Sequence, residues 1–254
     1  MALLPLHWAA ANPPTVNLGT ADSFAVLAGS GITITGPTTL TGDIGTYPTS
    51  AITGLGNVTL TGTNHDNDAV TQIAKTDLHT AFNDAAGRSA DVTYSGGFDL
   101  AGLTLVAGVY HDASSLFLSG TLTLDAQGNP DAVWIFQAGS TLTTASASDV
   151  NLINGAMPCN VFWVVGSSAT LGTDSNFAGT ILAQTSISLT TGANVEGRAL
   201  AQDGAVTMDT NHLALPDCPG VAPLPEPSTW LSMGTLAAAA AVYARRKRQQ
   251  GQNA

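Results

Sequence analysis

A chain of 254 residues with 44% hydrophobic and only 10% charged side chains can fill a continuous core, but carries far less charge than the ~25% of an ordinary domain. Its formal net charge is −11, and four of its seven cations sit together as Arg245, Arg246, Lys247 and Arg248, leaving only Lys75, Arg88 and Arg198 for the body. Three scattered cations cannot neutralise a row of phosphates, which excludes nucleic acid as a partner and disfavours polyuronates.

In chain order, Met1 to Ala11 is apolar with no basic residue ahead of Leu3-Leu4. It reads as a shortened export leader within residues 1–17. From Leu18 onward Thr, Ser, Asn and Gly take the place of charge, a mixture suited to short strands and tight turns. Thr33 and Thr35 flank Ile34, and Thr59 and Thr61 flank Leu60, with strand alternation. The pattern changes between Asp66 and Ala86, where Val70, Ile73, Ala74, Leu78, Ala81, Phe82 and Ala85 fall on one helical face. Asp66, Asn67 and Asp68 supply a cap at its start and Gly87 a stop. One amphipathic helix among strands is expected to lie along a face of whatever those strands build.

The second half repeats itself with a period of about eighteen. Blocks begin at Asn160, Ala178 and Glu196, and Ile181-Leu182-Ala183-Gln184 matches Ala199-Leu200-Ala201-Gln202. The earlier segment Asp131 to Asp149 aligns Trp134 with Trp163, and Thr141-Leu142 with Thr170-Leu171. Three short strands and three turns per period make one circuit of a triangular β-helix, stacked at ~4.8 Å. Alternation directs Leu122, Leu124, Leu142, Ala169, Leu171, Ile187, Leu189, Val206 and Met208 inward. Their outward neighbours form a ladder of Thr121, Thr141, Thr170, Ser188 and Thr207. Flanking columns hold Ser168, Ser186 and Ala205 on one side, and Thr123, Thr143 and Thr190 on the other. The ladder contains no charge.

Nothing points to catalysis. The five His have no metal-ligand spacing, no nucleophile elbow occurs, and Glu appears only at positions 196 and 226. Most Asp stand beside Gly, Asn or Ser in turns, as Asp125 does near Gly128-Asn129-Pro130. We therefore expect no enzyme, no cofactor and no metal. Cys159 and Cys218 fit one disulfide in an oxidising compartment, two buried thiols being the alternative.

The C-terminal end carries sorting information. Residues 216–227 form a Pro-rich linker, and Ser228 to Ala244 is uncharged and long enough to span a membrane. The basic cluster that follows places its far side in the cytoplasm. The order Pro225-Glu226-Pro227, apolar run, then Arg245-Arg246 resembles the PEP-CTERM signal over residues 228–254 and the triplet before them. That resemblance implies processing by an exosortase-type enzyme and initial anchorage in the inner membrane. The expected destination is the cell envelope or exopolysaccharide.

The body resembles a second family. The motifs are Leu18-Gly19-Thr20-Ala21 with Phe24, Gly42-Asp43-Ile44-Gly45, Asp84-Ala85-Ala86-Gly87-Arg88 and Leu105-Val106-Ala107-Gly108-Val109-Tyr110. They continue with Val133-Trp134-Ile135-Phe136-Gln137, Asn160-Val161-Phe162-Trp163 and Gly197-Arg198-Ala199-Leu200-Ala201-Gln202. In this order they are similar to the ice-binding-protein-like domain, over residues 18–215. The resemblance implies an all-β fold, an irregular right-handed β-solenoid with one long helix along its side. It also implies an ice crystal surface as partner, met by a flat Thr/Ser-rich face. The residues expected there are Thr121, Thr141, Thr143, Ser168, Thr170, Ser186, Ser188, Thr190, Ala205 and Thr207. A matrix adhesin or structural module of the same fold is the alternative, and a carbohydrate-active β-helix enzyme a more distant one. If the tail is an exosortase signal, cells lacking that enzyme will retain the full-length protein in the inner membrane, whereas identical processing with and without it identifies a plain tail anchor.

Overall fold

The computed structural model describes residues 12–217; the leader Met1 to Ala11, Cys218, the Pro225-Glu226-Pro227 triplet, the apolar run and the basic cluster lie outside them. Twenty-two short strands wind into rungs with three faces, and every paired strand is parallel to its neighbours. One face is an eight-stranded sheet in the order Ile52–Thr53, Gly31–Ile34, Ala205–Met208, Ile187–Leu189, Ala169–Leu171, Leu142–Thr144, Leu116–Leu118 and Phe98–Asp99. A second face runs from Asp43–Thr46 through Phe24–Ala28 to Val161–Val165, Trp134–Ala138, Gly108–Asp112 and Val92–Tyr94. The third contains Val58–Thr61, Thr38–Thr41, His212–Ala214, Asp149–Ile153, Thr121–Asp125 and Thr104–Leu105. The two eight-residue strands Asn176–Ala183 and Asn194–Ala201 bend across the corner between the second and third faces.

Spatial order departs from chain order. The first rungs occupy one end, after which the chain runs the length of the stack as a helix and starts again at the far end with Val92–Tyr94. It then returns rung by rung until the last coil meets the first, with Val26 beside Ala199, Thr33 beside Thr207 and Leu40 beside Leu213. The 18-residue helix Ala69–Ala86 covers ~27 Å at 1.5 Å per residue, and its flanking loops complete the return along rungs ~4.8 Å apart.

That helix explains the sequence of the face beneath it. The strands Phe24–Ala28, Trp134–Ala138 and Val161–Val165 are buried at every position, because one side of each meets the interior and the other meets the helix. Ala74, Leu78, Ala81 and Ala85 face Leu27, Ile135, Phe162, Val164, Leu182 and Leu200 in a second apolar cluster. Small side chains at three of those helical positions permit close approach. Val70 and Ile73, expected in the stripe, instead point outward, Ile73 with 54% exposure. The buried line is rotated so that Thr71 enters it. Its hydroxyl bonds the His65 carbonyl, while its amide donates to the Asp68 cap at 2.9 Å. At the other end the Gln137 side-chain amide donates to the carbonyls of Ala85 (2.8 Å) and Arg88 (2.9 Å), satisfying acceptors that a helix terminus leaves free.

All nine side chains expected to point inward along Leu122 to Met208 are buried. Within the core Tyr110, Phe136 and Trp163 occupy one column in register, with ring centroids 5.4 and 4.1 Å apart. The column continues through Ile181, Ala199 and Val26, which are smaller. The expected alignment of Trp134 with Trp163 is displaced by two residues, since Trp134 stands beside Val161 and Phe136 beside Trp163. The rungs are unequal in length. Ile181 and Ala199 follow Trp163 at intervals of 18, whereas Phe136 precedes it by 27. The nine extra residues lie between Asp149 and Val161, including the turn after Ile153 and a 3-10 turn at Pro158–Asn160. Later coils cross the same corner directly by bending at Gly179 (φ 111°) and Gly197 (φ 154°). A Cβ at Gly197 would collide with the backbone carbonyl of Gly179, so glycine is required there. Cys159, in the longer corner, is disulfide-bonded.

Two cations of the body fasten the last coil, one to the turn ahead of the first strand and one to the helix. Arg198, 5% exposed, bonds Asp22 through its carboxylate (2.6 Å) and its carbonyl (2.9 Å). Because the Asp22 side chain is itself 42% exposed, solvent screens part of that pair. Replacing Arg198 by Ala is expected to cost about 2 kcal/mol, below the 3–5 of a fully buried broken pair, seen as a lower urea midpoint with unchanged slope. Lys75 reaches from the helix to the carbonyls of Ala201 (2.6 Å) and Gln202. Burial lowers its ammonium from the ordinary 10.5 to about 8, although Asp203 opposes the shift. Between these values the unfolded chain binds more protons than the folded one, so stability rises with pH there. Urea midpoints measured across that interval should climb in the parent chain and lose this component in Lys75→Met.

Candidate functional site

Of the three faces, one is covered by the helix, and another carries exposed or half-exposed Asp125, Asp149, Glu196 and His212. The eight-stranded face has no helix over it, and its charge is confined to its margins. Its central outward column is fixed by register: Thr53, Thr33, Thr207, Ser188, Thr170 and Thr143, followed by Phe117 and Asp99 at the far end. The first six rungs therefore present only Thr and Ser, with no charge at the centre. Alternation creates this arrangement, because each of these residues lies between two inward apolar or small side chains that anchor the rung. Phe117, 40% exposed, ends the row with a ring standing against Gly97.

Two columns flank it. One residue before the inward anchors lie Ser115, Thr141, Ser168, Ser186 and Ala205; beyond them lie Ser119, Thr190, Asp209 and Thr35. Ser115 and Thr141 share a hydrogen bond of 2.8 Å. Ser168 accepts from the Ser186 amide (3.3 Å) and Ser186 from the Ala205 amide (3.2 Å). Thr190 donates to the Leu171 carbonyl at 2.8 Å and Thr35 to the Met208 carbonyl at 3.3 Å. These bonds link successive rungs, so the side chains that shape the face also fasten it.

Charge appears only at the margins. The Thr191 and Thr210 hydroxyls hold Asp209 below the usual carboxylate range. At Asp99 burial opposes ionisation, but the Ser119 hydroxyl and amide and the Ala101 amide prevail and lower it. Among the described residues, no group of three or more His, Cys, Asp or Glu is placed to hold a metal ion. His65 lies instead between Asp68 (2.7 Å) and Asp43 (3.7 Å) beside the helix cap. Asp125 serves its turn, accepting from the Gln127 amide at 2.8 Å.

The register corrects the expected ladder. Thr121 and Thr123 stand opposite Asp149 and Asn151 on the third face, because the strand Thr121–Asp125 follows its own turn after the eight-stranded sheet. Thr143, expected in a flank, is the partner of Thr170, and Thr141 moves to the flank. Both displacements preserve alternation, which is why periodicity alone does not detect them. Ser168, Ser186, Ala205, Thr170, Ser188, Thr190 and Thr207 occupy the expected face. Thr33 and Thr53 join its centre and Thr59 and Thr61 do not. The alternation in Ile32-Thr33-Ile34 matches that in Ile187-Ser188-Leu189, but only the meeting of first and last coils makes them neighbours.

A family model described as Ice-binding-like matches residues 26–214. The chain belongs to the ice-binding-like family. It is 52% identical over 200 residues to an ice-binding protein of Nostoc, spanning 78% of this chain and 73% of that one. A Colwellia ice-binding protein is 40% identical, with 82% and 86% covered. The crystal structure of an ice-binding protein from Antarctomyces psychrotrophicus superposes with a TM-score of 0.78 at 43% identity, covering 80% of this chain and 99% of that one. One from an Antarctic biological consortium gives 0.80 at 45% identity, covering 85% and 97%. Membership of the ice-binding-like family fits the β-solenoid with its lateral helix, and the quoted motifs occupy structural joints of it. Gly45, for instance, leaves room for Thr71 and Phe24 where the helix starts.

Proposed function

We propose that this protein binds ice, and that the eight-stranded face is the contact surface. The observation that carries the reading is the row Thr53, Thr33, Thr207, Ser188, Thr170 and Thr143, uncharged and in register over six parallel rungs. Such a row repeats at ~4.8 Å between rungs and ~6.6 Å along each strand. Thr is stiff at χ1, so the row has little conformational entropy left to lose on meeting a rigid lattice. Charges would orient water unsuitably, and they stand at the margins. The ice-binding relatives with this fold support the same reading, as does the uncharged centre of a chain whose net charge is −11. We further propose that the domain works outside the cell, held to the envelope or matrix by its C-terminal tail.

Thr170 lies near the middle of the row, where a protruding ring would hold neighbouring rungs off a flat crystal. Outward strand positions tolerate such changes with effects within about 0.5 kcal/mol. Thr170→Tyr in the full chain is expected to keep its thermal unfolding midpoint while losing thermal hysteresis and ice-crystal shaping. Asn194→Tyr, at an exposed position on the third face, should keep both activities. Full hysteresis in Thr170→Tyr would remove this face as the site, and absence of hysteresis in the parent chain would favour the adhesin.

A further inference from the structure

The hydroxyls of the face are not equivalent. In the central column Thr207 donates to Ser188 at 3.1 Å, and Thr53 donates to Thr33 and to the Ile32 carbonyl, both at 3.3 Å. The flanking hydroxyls of Ser115, Thr141, Ser168, Ser186, Thr190, Thr35 and Ser119 are held by the partners already described. Thr143 and Thr170 differ. They are adjacent in register, each is partly exposed, and neither hydroxyl has a hydrogen-bond partner among the described residues. The reason is local. Above Thr143 the column continues as Phe117, which has no hydroxyl, and Thr170 meets no donated bond from Ser188.

We propose that Thr143 and Thr170 are the specificity-determining pair of the face, the two residues whose hydroxyls bond lattice water and so set which ice planes are recognised. This rests on the reading that the face binds ice. The Thr53 and Thr207 hydroxyls donate along the stack, so their O–H directions are fixed toward the next rung and they contribute mainly their methyl groups to the surface, while Thr33 and Ser188 each give up one acceptor direction to that neighbour. An unpartnered hydroxyl on a stiff Thr keeps its donor and both acceptor directions for water. Two such groups on neighbouring rungs, ~4.8 Å apart, define a direction as well as a position. The face is thus divided along its length into a part near the first coil whose hydroxyls bond one another and a part toward Phe117 whose hydroxyls are open to water.

Thr→Val replacement tests the division, because Val keeps the shape and the methyl and removes only the hydroxyl. In the full chain, Thr143→Val with Thr170→Val should lower thermal hysteresis by about fivefold or more, as expected for losing direct hydrogen bonds, and should change the planes stained by fluorescently labelled protein on a single ice crystal. Thr53→Val with Thr207→Val, which removes the two hydroxyls that donate along the stack, should lower hysteresis clearly less than the Thr143/Thr170 pair does and should stain the parent's planes. Thr143→Ser with Thr170→Ser, which retains the hydroxyls, should preserve the parent's stained planes. Unfolding midpoints close to the parent's establish that each pair is folded. The proposal is overturned if the Thr143/Thr170 and Thr53/Thr207 Val pairs behave alike, whether both active or both impaired, or if Thr53 and Thr207 prove the more sensitive. It also fails if the Ser pair stains new planes. Loss of hysteresis in Thr170→Tyr together with full activity in the Thr143/Thr170 Val pair would overturn the division alone, whereas full activity in Thr170→Tyr would overturn the site.

Discussion

Each rung of this protein exists because its neighbours take up its backbone hydrogen bonds. Most of its strands are two to five residues long, too short to persist alone, and parallel pairing gives them no local hairpin. Stacking is therefore the constraint on which everything else depends. It explains the buried columns, in which Tyr110, Phe136 and Trp163 lie ring against ring, and the corner glycines, which admit the next backbone. It also explains why outward Ser hydroxyls so often accept an amide of the next rung.

A stack must also deal with its sides and with its connectivity. The helix does both. It covers a face whose outward side is apolar, including Leu27, Phe162, Val164 and Leu182, and it carries the chain from the second rung to the far end. The last coil can then close against the first. Arg198 ties that last coil to Asp22 ahead of the first strand, and Lys75 ties it to the helix through the carbonyls of Ala201 and Gln202. All three cations in the body are engaged in this way, since Arg88 bonds Asp84 and the carbonyls of Pro14 and Thr15. Positive charge is spent on joints, which leaves the eight-stranded face free of it.

The same economy shapes the surface assigned to ice. A face for a crystal needs order before contact, and here the order comes from the inward side chains, the rung spacing and the hydrogen bonds between successive rungs. The outward residues add little besides methyls and hydroxyls. Membership of the ice-binding-like family and the geometry thus meet on one physical property, a flat, stiff, uncharged array.

Much of this was legible in the sequence, and the reason is parity. Side chains on a strand alternate with period two, so inward Leu122, Leu142, Ile187 and Val206 could be told from their outward neighbours without knowing any pairing. Helical spacing and the Asp68 cap likewise marked the helix, although which side of it turned inward depended on contact with the sheet, and Val70 and Ile73 were left outside. Register could not be read in the same way. A slip of two residues keeps every side chain on its own side, so Thr141 and Thr143 exchange columns with no change in the pattern. Adjacency between distant segments was also invisible: Thr33 and Thr207 are 174 positions apart and become neighbours only when the last coil docks on the first. On the strands, sequence by itself determined which residues point away from the core; the tertiary structure alone decided which of them stand side by side, because backbone pairing across rungs, rather than local alternation, sets the register.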